Sequence, residues 1–376
     1  MKKILFLITL VCLSINAVAQ EDSLRYRKND GSTVSFPRSI VDYELETDDA
    51  YKVRISHPLS DVEKTTFNRS EDNGGIHPEP PYEYREDEEI PCYSNGEKIA
   101  TITANNEALP GGAIIIGVTS KVLIECFYVA VSGQPGYYVK FPDAPTLSGE
   151  EYIYRFTMMF PQEWDHDVVI TVGGHTKDGR SFECKEFGVK YHEAGTGALQ
   201  VSLTFDNAKD IDLHLFTPST EYFYGNPAAN VTINGQTKTV KVLDVDSNRG
   251  CAIDNINCEN ITLPEELLEN GTYKVVVNMY RNCNDRISTG WSCVATRGGQ
   301  LVHNMLTNYG NPASGVYPVG QARGDNTVVM MFNVERRAAA RGAKREEIII
   351  TPLPLDDISI MKLEEEKAMK VAEERK

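Results

Sequence analysis

The sequence predicts an all-β protein made of two consecutive β-sandwich domains of the immunoglobulin-like kind, preceded by an irregular arm and followed by a charged, helical tail. Three observations carry that prediction. Short β-rich runs alternate with turn residues from residue 88 to residue 335. Within those runs apolar and polar residues alternate with a period of two, and helical periodicity is missing. A linker of small and polar residues, HEAGTG, divides the runs into two sets.

Residues 1–19, MKKILFLITLVCLSINAVA, have the layout of a cleaved signal peptide. Lys2 and Lys3 form the positive region, Ile4 to Ile15 the apolar region, and Ala17 and Ala19 the small residues before a cut ahead of Gln20. The apolar run has about 12 residues, short of the roughly 20 that a membrane span needs. No later segment is apolar enough to cross a bilayer, so a secreted or periplasmic protein is expected.

Residues 20–87 are acidic and read as a largely irregular arm or linker, with a short strand pair around Tyr43–Glu46 and Tyr51–Ile55. Residues 88–195 hold seven runs, from KIATITA to FECKEFGVKY, and form the first sandwich. Trp164 follows Pro161-Gln162-Glu163 and reads as a loop residue, not a core-strand tryptophan. Residues 197–335 form the second sandwich, with strands expected in LQVSLTF, DIDLHLF, EYFY, KTVKVLDV, TYKVVVNMY, WSCVAT, LVHNML and NTVVMMFNV, and one helical turn in LPEELLEN. Residues 336–376 combine a basic stretch, the apolar run IIITPLPL and a helix-forming end over 358–376.

Lys and Arg number 38 against 54 Asp and Glu, a net charge of −16, which becomes −18 once the leader takes Lys2 and Lys3 away. That sign repels phosphate backbones and anionic lipid, so neither nucleic acid nor a bare membrane is an expected partner. A protein or a glycan is. Of the eight cysteines, Cys12 leaves with the leader. Disulfides are expected in an oxidising compartment: Cys283 with Cys293, Cys251 with Cys258, Cys126 with Cys184 joining two sheets, and Cys92 left as the odd thiol. No CxxC pair supports a zinc site.

One constellation carries chemistry. In VSLTFDNAKDIDLHLF, Ile211, Leu213 and Leu215 alternate with Asp210, Asp212 and His214. Strand side chains repeat every two residues, so the apolar set should face the core and the polar set should share the other face. KVLDVDSN repeats the pattern, with Leu243 and Val245 inward and Asp244 and Asp246 outward. If these strands meet, Asp210, Asp212, Asp244, Asp246 and His214 form a candidate metal site. Calcium suits it, since calcium takes six to eight oxygens from carboxylates and carbonyls. Asp254, Asn255 and Glu259 lie close behind and are candidate extra ligands. The competing reading is a solvated polar face whose aspartates cap turns. The EF-hand spacing is absent.

VSLTFDNAKDIDLHLFTP, FYGNP, LDVDSNRG, ENITLPE and GTYKVVVNMY, in that order and spacing, resemble the YfaP-type domain of unknown function found in exported bacterial proteins. The quoted motifs cover about 85 residues, Val201 to Asn284, of a domain expected over about 200–335. The resemblance implies a β-sandwich in an exported bacterial protein and no established activity. By position its motif acids are Asp210, Asp212, Asp244 and Asp246, with His214. Cys251, Cys258, Cys283 and Cys293 are not part of the pattern.

No nucleophile elbow, HExxH or papain-like signature is present. Asp165-His166-Asp167 reads as a polar turn. The sequence therefore predicts a non-enzymatic binding or cell-envelope interaction protein, with no catalytic residue and no cofactor other than calcium. The alternative is a metal-dependent or carboxylate-dependent hydrolase acting on glycan or peptide through the acidic cluster.

Overall fold

The computed structural model describes residues 23–27, 33–37, 41–45, 51–55, 75–92, 98–233, 235–284, 286–302, 311–337, 347–353 and 355. The expected leader and the expected helix over 358–376 lie outside the described residues. The chain falls into two units, Met1–Gly74 and Gly75–Lys376.

Among its described residues the first unit contains two antiparallel strand pairs. Val41–Leu45 pairs with Tyr51–Ile55, in agreement with the expected strand pair. Ser23–Arg27 pairs with Thr33–Pro37 in a stretch whose composition reads as irregular. The alternation of Leu24 and Tyr26, and of Val34 and Phe36, is short and lies within a polar composition that masks it.

The second unit holds two sandwiches. In the first, one sheet runs in the order Tyr82–Arg85, Tyr137–Lys140, Ile124–Val131, Val168–Thr176, Ser181–Tyr191, Glu107–Ala108. The facing sheet runs Thr146–Ser148, Glu151–Met159, Ala113–Ser120, Ala100–Ala104, with His77–Pro78 also pairing to Glu151–Met159. Ile116, Phe127, Phe156, Met158 and Ile170 fill the space between them. Tyr82–Arg85 and His77–Pro78 come from the segment that the sequence assigns to the arm. In Tyr82–Arg85 the two tyrosines alternate with Glu83 and Arg85 and pack on Tyr138 and the core, a strand signal too short to stand out in an acidic stretch. Trp164 does sit in a loop, yet that loop folds inward. The ring is 5% exposed and packs on Phe160 at 4.4 Å and Tyr191 at 5.3 Å.

In the second sandwich one sheet runs Leu243–Asp246, Cys258–Leu263, Leu199–Phe205, Thr289–Arg297, Gln300–Leu301, with Ala313–Tyr317 also on Thr289–Arg297. The other runs Glu221–Tyr222, Asp210–Phe216, Gly271–Arg281, Asp325–Arg337, Glu347–Leu353. The last strand is the apolar run IIITPLPL, which by composition belongs to the tail. It pairs with Asp325–Arg337 and buries Ile348 in the core. Leu203, Phe205, Leu213, Tyr273, Val275 and Phe332 lie at the centre. The expected helical turn is a 3-10 turn, Glu265–Leu267.

The strand Leu199–Phe205 is buried along its whole length, although its residues alternate apolar and polar. Leu199, Val201, Leu203 and Phe205 face their own core. Gln200, Ser202 and Thr204 meet the first sandwich. Gln200 Nε2 donates to the Pro110 carbonyl at 2.7 Å and to Asn260 Oδ1 at 3.0 Å, and Gln200 Oε1 accepts from Gln162 Nε2 at 2.6 Å. Thr204 Oγ1 donates to the Ala113 carbonyl at 2.7 Å, and Asn105 Nδ2 to the Phe205 carbonyl at 2.8 Å. Arg155 Nε donates to Asp206 Oδ2 at 3.0 Å. Burial raises the Asp206 carboxyl above its ordinary value despite Arg155. Lost hydration outweighs the attraction there, so that pair fixes orientation more than it stabilises.

All three expected disulfide pairings are overturned. The bonds are Cys92–Cys184 and Cys251–Cys283, and Cys126, Cys258 and Cys293 are buried thiols. Cys293 sits opposite Leu203 inside the core, whereas Cys283 lies just past the end of a strand in the other sheet, so the two do not meet. Cys258 turns its side chain toward Leu109 and Val245. Cys126 and Cys184 lie on strands of one sheet with Val168–Thr176 between them. Loop closures of 92 and 32 residues correspond to about 4.6 and about 3.7 kcal/mol in the chain-entropy model.

Cross-linked peptides from unreduced protein should be Cys92–Cys184 and Cys251–Cys283; recovery of a Cys283–Cys293 peptide would contradict the fold. In urea, Trp164 of the first sandwich and Trp291 of the second should report one shared transition, read separately in Trp291→Phe and Trp164→Phe proteins. Gln200→Ala leaves buried partners unsatisfied and should cost about 2–4 kcal/mol. Two separate midpoints in the parent chain would show the sandwiches to be energetically independent.

Candidate cation site

The sequence places acids at every second position at the start of Asp210–Phe216, and the topology puts that strand near the margin of its sheet. Its outer neighbour, Glu221–Tyr222, covers only Leu215 and Phe216. The backbone N–H of Leu213 therefore has no strand partner on that side. It donates instead to Glu259 Oε2 at 2.7 Å. Glu259 belongs to the opposite sheet, on Cys258–Leu263.

Glu259 reaches there because of its register. Directly opposed residues of antiparallel strands share a face. Glu259 is opposite Leu203 on one side and Asp246 on the other. Leu203, Ile261 and Leu263 point into the core, so Glu259 points inward too and is 1% exposed. Asp246 shares its face.

Asp244 does not. The register slips between Leu243 and Val245, a β-bulge, so Val245 falls opposite Asn260 on the outer face. There Val245 packs with Leu109 and Cys258. Asp244 accepts hydrogen bonds from Asn260 Nδ2 at 2.9 Å and from the Gly195 N–H. The expected arrangement, with Leu243 and Val245 inward and Asp244 and Asp246 outward, is corrected by that one extra residue. His214 is also committed elsewhere. Its Nδ1 lies 2.8 Å from Glu221 Oε1 and its ring stacks on Phe223 at 5.1 Å.

The group that remains is Asp210, Asp212, Asp246 and Glu259. Asp210 and Asp212 are 1% and 3% exposed. Burial, with a smaller push from Asp246, holds Asp210 up at about 6, against a hydrogen bond from the Gly250 N–H at 2.8 Å. Burial, then Asp210 and Asp246, push Asp212 to about 7. Burial, then Asp212, push Glu259 well above its ordinary value. Asp246 is raised by burial and held back by Arg249 and Lys241. Arg249 Nε stands 3.9 Å from Asp246 Oδ2 with its side chain 73% exposed, so its pull is largely screened.

Three oxygens in this group are buried with no hydrogen-bond partner: Asp212 Oδ2, Asp246 Oδ1 and Glu259 Oε1. For Asp212, a carboxyl moved from 3.8 to about 7 disfavours the anion by about 4 kcal/mol. A proton or a hard cation would relieve that cost, and an all-oxygen donor set suits calcium. Among the described residues no three His, Cys, Asp or Glu side chains are already gathered as a metal ligand set. A cation would have to draw these oxygens together.

The loop that follows Asp246 contacts the group at Asp210 and Asp246. Asn248, Cys251, Asn255 and Asn257 all adopt left-handed backbone conformations, with φ of 57°, 69°, 66° and 55°. Asparagine tolerates this region better than most residues. Asp254 organises the loop, accepting from Ser247 Oγ at 2.6 Å, Asn248 N at 3.2 Å and Ile256 N at 2.9 Å. Asp254 is therefore occupied within the loop and Asn255 forms one of its turns. Glu259, which the sequence suggests only as an accessory, is the central acid. The signal is present in CENITL, where Glu259 alternates in phase with Ile261 and Leu263.

No family model matches the chain, and no curated protein matches it. Solved structures of tandem immunoglobulin domains show a faint likeness. The titin Ig tandem domains A164–A165 are 10% identical over 53% of this chain and 95% of that one, at a TM-score of 0.16. The N-terminal eight Ig domains of the Down Syndrome Cell Adhesion Molecule, isoform 1.30.30, are 9% identical over 88% of this chain and 52% of that one, at 0.17. The N-terminal four Ig domains of Dscam1 isoform 4.44 are 12% identical over 89% and 91%, at 0.17. TM-scores this low carry no argument about topology or role.

The raised carboxyls set a pH dependence for metal-free protein. The folded state holds protons that the unfolded chain releases near 4, so this contribution is complete below about pH 4. It is lost as pH rises to about 7, by about 4 kcal/mol for Asp212 alone. Asp212→Asn should remove much of that slope and raise stability at pH 8, as measured by urea unfolding in EDTA. A variant whose slope matches the parent would show that Asp212 is hydrated and ordinary.

Proposed function

We propose that this chain is an exported, non-enzymatic binding or cell-envelope interaction protein, built on tandem immunoglobulin-like sandwiches, and that a calcium ion stabilises its second sandwich. The observation that carries the calcium reading is the trio of buried, unpartnered oxygens on Asp212, Asp246 and Glu259. Buried charge is retained where something offsets it. Above pH 7 Asp212 releases its proton, and calcium is the oxygen-seeking cation that an extracellular medium supplies.

Two disulfides suit an oxidising compartment, in keeping with the leader-like residues 1–19. Among the described residues no helix is long and apolar enough to cross a membrane. Rigid sandwiches present loops at their ends, a suitable arrangement for recognising a protein or a glycan.

The test is a thermal melt of the mature protein at pH 8 in EDTA and in calcium chloride. At a hundred times the dissociation constant, calcium should add ~2.7 kcal/mol. For a cooperative unit the size of Gly75–Lys376 that is a rise of about 4 °C. Asp212→Asn with Asp246→Asn should abolish the rise. Coincident melts with and without calcium would remove the ion from the proposal.

A further inference from the structure

Asp210 and Asp246 of the acidic group are contacted by a segment that one disulfide fastens in place. Gly250, whose N–H donates to Asp210 Oδ2 at 2.8 Å, directly precedes Cys251. Cys251 is bonded to Cys283, two residues beyond Arg281. Arg281 is opposite Asp210 in the strand register, and its Nη1 donates to the Gly250 carbonyl at 3.3 Å. Arg249, one residue earlier, is the cation facing Asp246 and Asp212. The disulfide thus ties the turn Arg249–Cys251 to the strand end beside Asp210. Without it the turn rests on single hydrogen bonds, and two of its residues, Gly250 and Cys251, hold left-handed conformations, with φ of 62° and 69°. Such conformations are costly outside glycine unless the surroundings enforce them.

We propose that the Cys251–Cys283 bond makes the acidic group competent for a divalent cation, so that the site forms only after the chain is oxidised. The inference rests on the calcium reading above. In the reduced chain two thiols flank an unfastened turn. Thiol–disulfide exchange with an oxidising disulfide joins the two sulfurs. The two thiol protons and one electron pair pass to the incoming disulfide, which leaves as a dithiol. The turn is then held against Asp210 and beside Asp246, next to the unpartnered oxygens of Asp212, Asp246 and Glu259. A chain still in a reducing compartment would not capture the ion; the exported chain would.

The experiment titrates calcium chloride into the full mature chain at pH 8 by calorimetry. Three proteins are compared: oxidised parent, Cys251→Ser with Cys283→Ser, and Cys92→Ser with Cys184→Ser, each checked for native circular dichroism. The first double variant should bind at least tenfold more weakly and the second as the parent does. Where the first double variant fails to fold, dithiothreitol is added to calcium-loaded Cys92→Ser with Cys184→Ser protein, and release of calcium with alkylation of Cys251 and Cys283 is the expected result. Equal affinity in parent and first double variant, or calcium retained after both thiols are alkylated, would overturn the proposal while leaving the calcium reading intact. No binding by the oxidised parent would instead defeat the calcium reading itself.

Discussion

Glu259 spans the open margin between two sheets, and the local architecture of the second sandwich depends on that contact. Two sheets facing each other leave the outer strand of each with unpaired backbone groups. Along Asp210–Phe216 the short partner Glu221–Tyr222 stops before Leu213, and the Glu259 carboxyl takes the Leu213 N–H. A buried acid in that position draws consequences with it. Its charge is disfavoured by burial and by Asp212 and Asp246, yet removing it would leave a buried N–H without an acceptor. Closing the margin with an acid therefore gathers carboxyl groups that must be neutralised by protons or by a cation.

The same tension recurs where the two sandwiches meet. Strand Leu199–Phe205 carries glutamine, serine and threonine on the face that touches its neighbour, and each is hydrogen-bonded across the contact or along it. Burying polar groups in this way gives modest net stability but high geometric selectivity, since each unmet partner costs more than a met one contributes. Arg155 and Asp206 add direction to the contact with little energy.

Much of the fold is legible in the sequence because alternation is strong where one face is buried. The LQVSLTF, DIDLHLF, VVITVGG and TYKVVVNMY runs are all strands at or near their expected limits. Tyr82–Arg85 leaves only a short trace, the alternation of Tyr82 and Tyr84 with Glu83 and Arg85 within an otherwise acidic stretch. The acidic cluster is legible in part. Period-two counting places Asp210 and Asp212 together on one strand, but it fails at Leu243–Asp246, because a bulge adds one residue and reverses the facing of Val245 and Asp246. Nothing in the composition of KVLDVDSN announces that bulge. The disulfides mislead for a related reason. Proximity along the chain suggests Cys283 with Cys293, whereas here the two strands that flank that loop belong to opposite sheets, which separates neighbours in sequence.

The buried polar face of Leu199–Phe205 also bears on ancestry. A sandwich whose buried contact strand is lined by polar side chains and hydrogen-bonded to Pro110, Ala113 and Gln162 is poorly suited to transfer by recombination as an interchangeable cassette. Placed beside an unrelated neighbour, or left at a chain terminus, it would present unmet donors to whatever it touched. The two halves of this unit are therefore expected to be inherited as a pair, with substitutions at Gln162, Gln200 and Asn260 changing together.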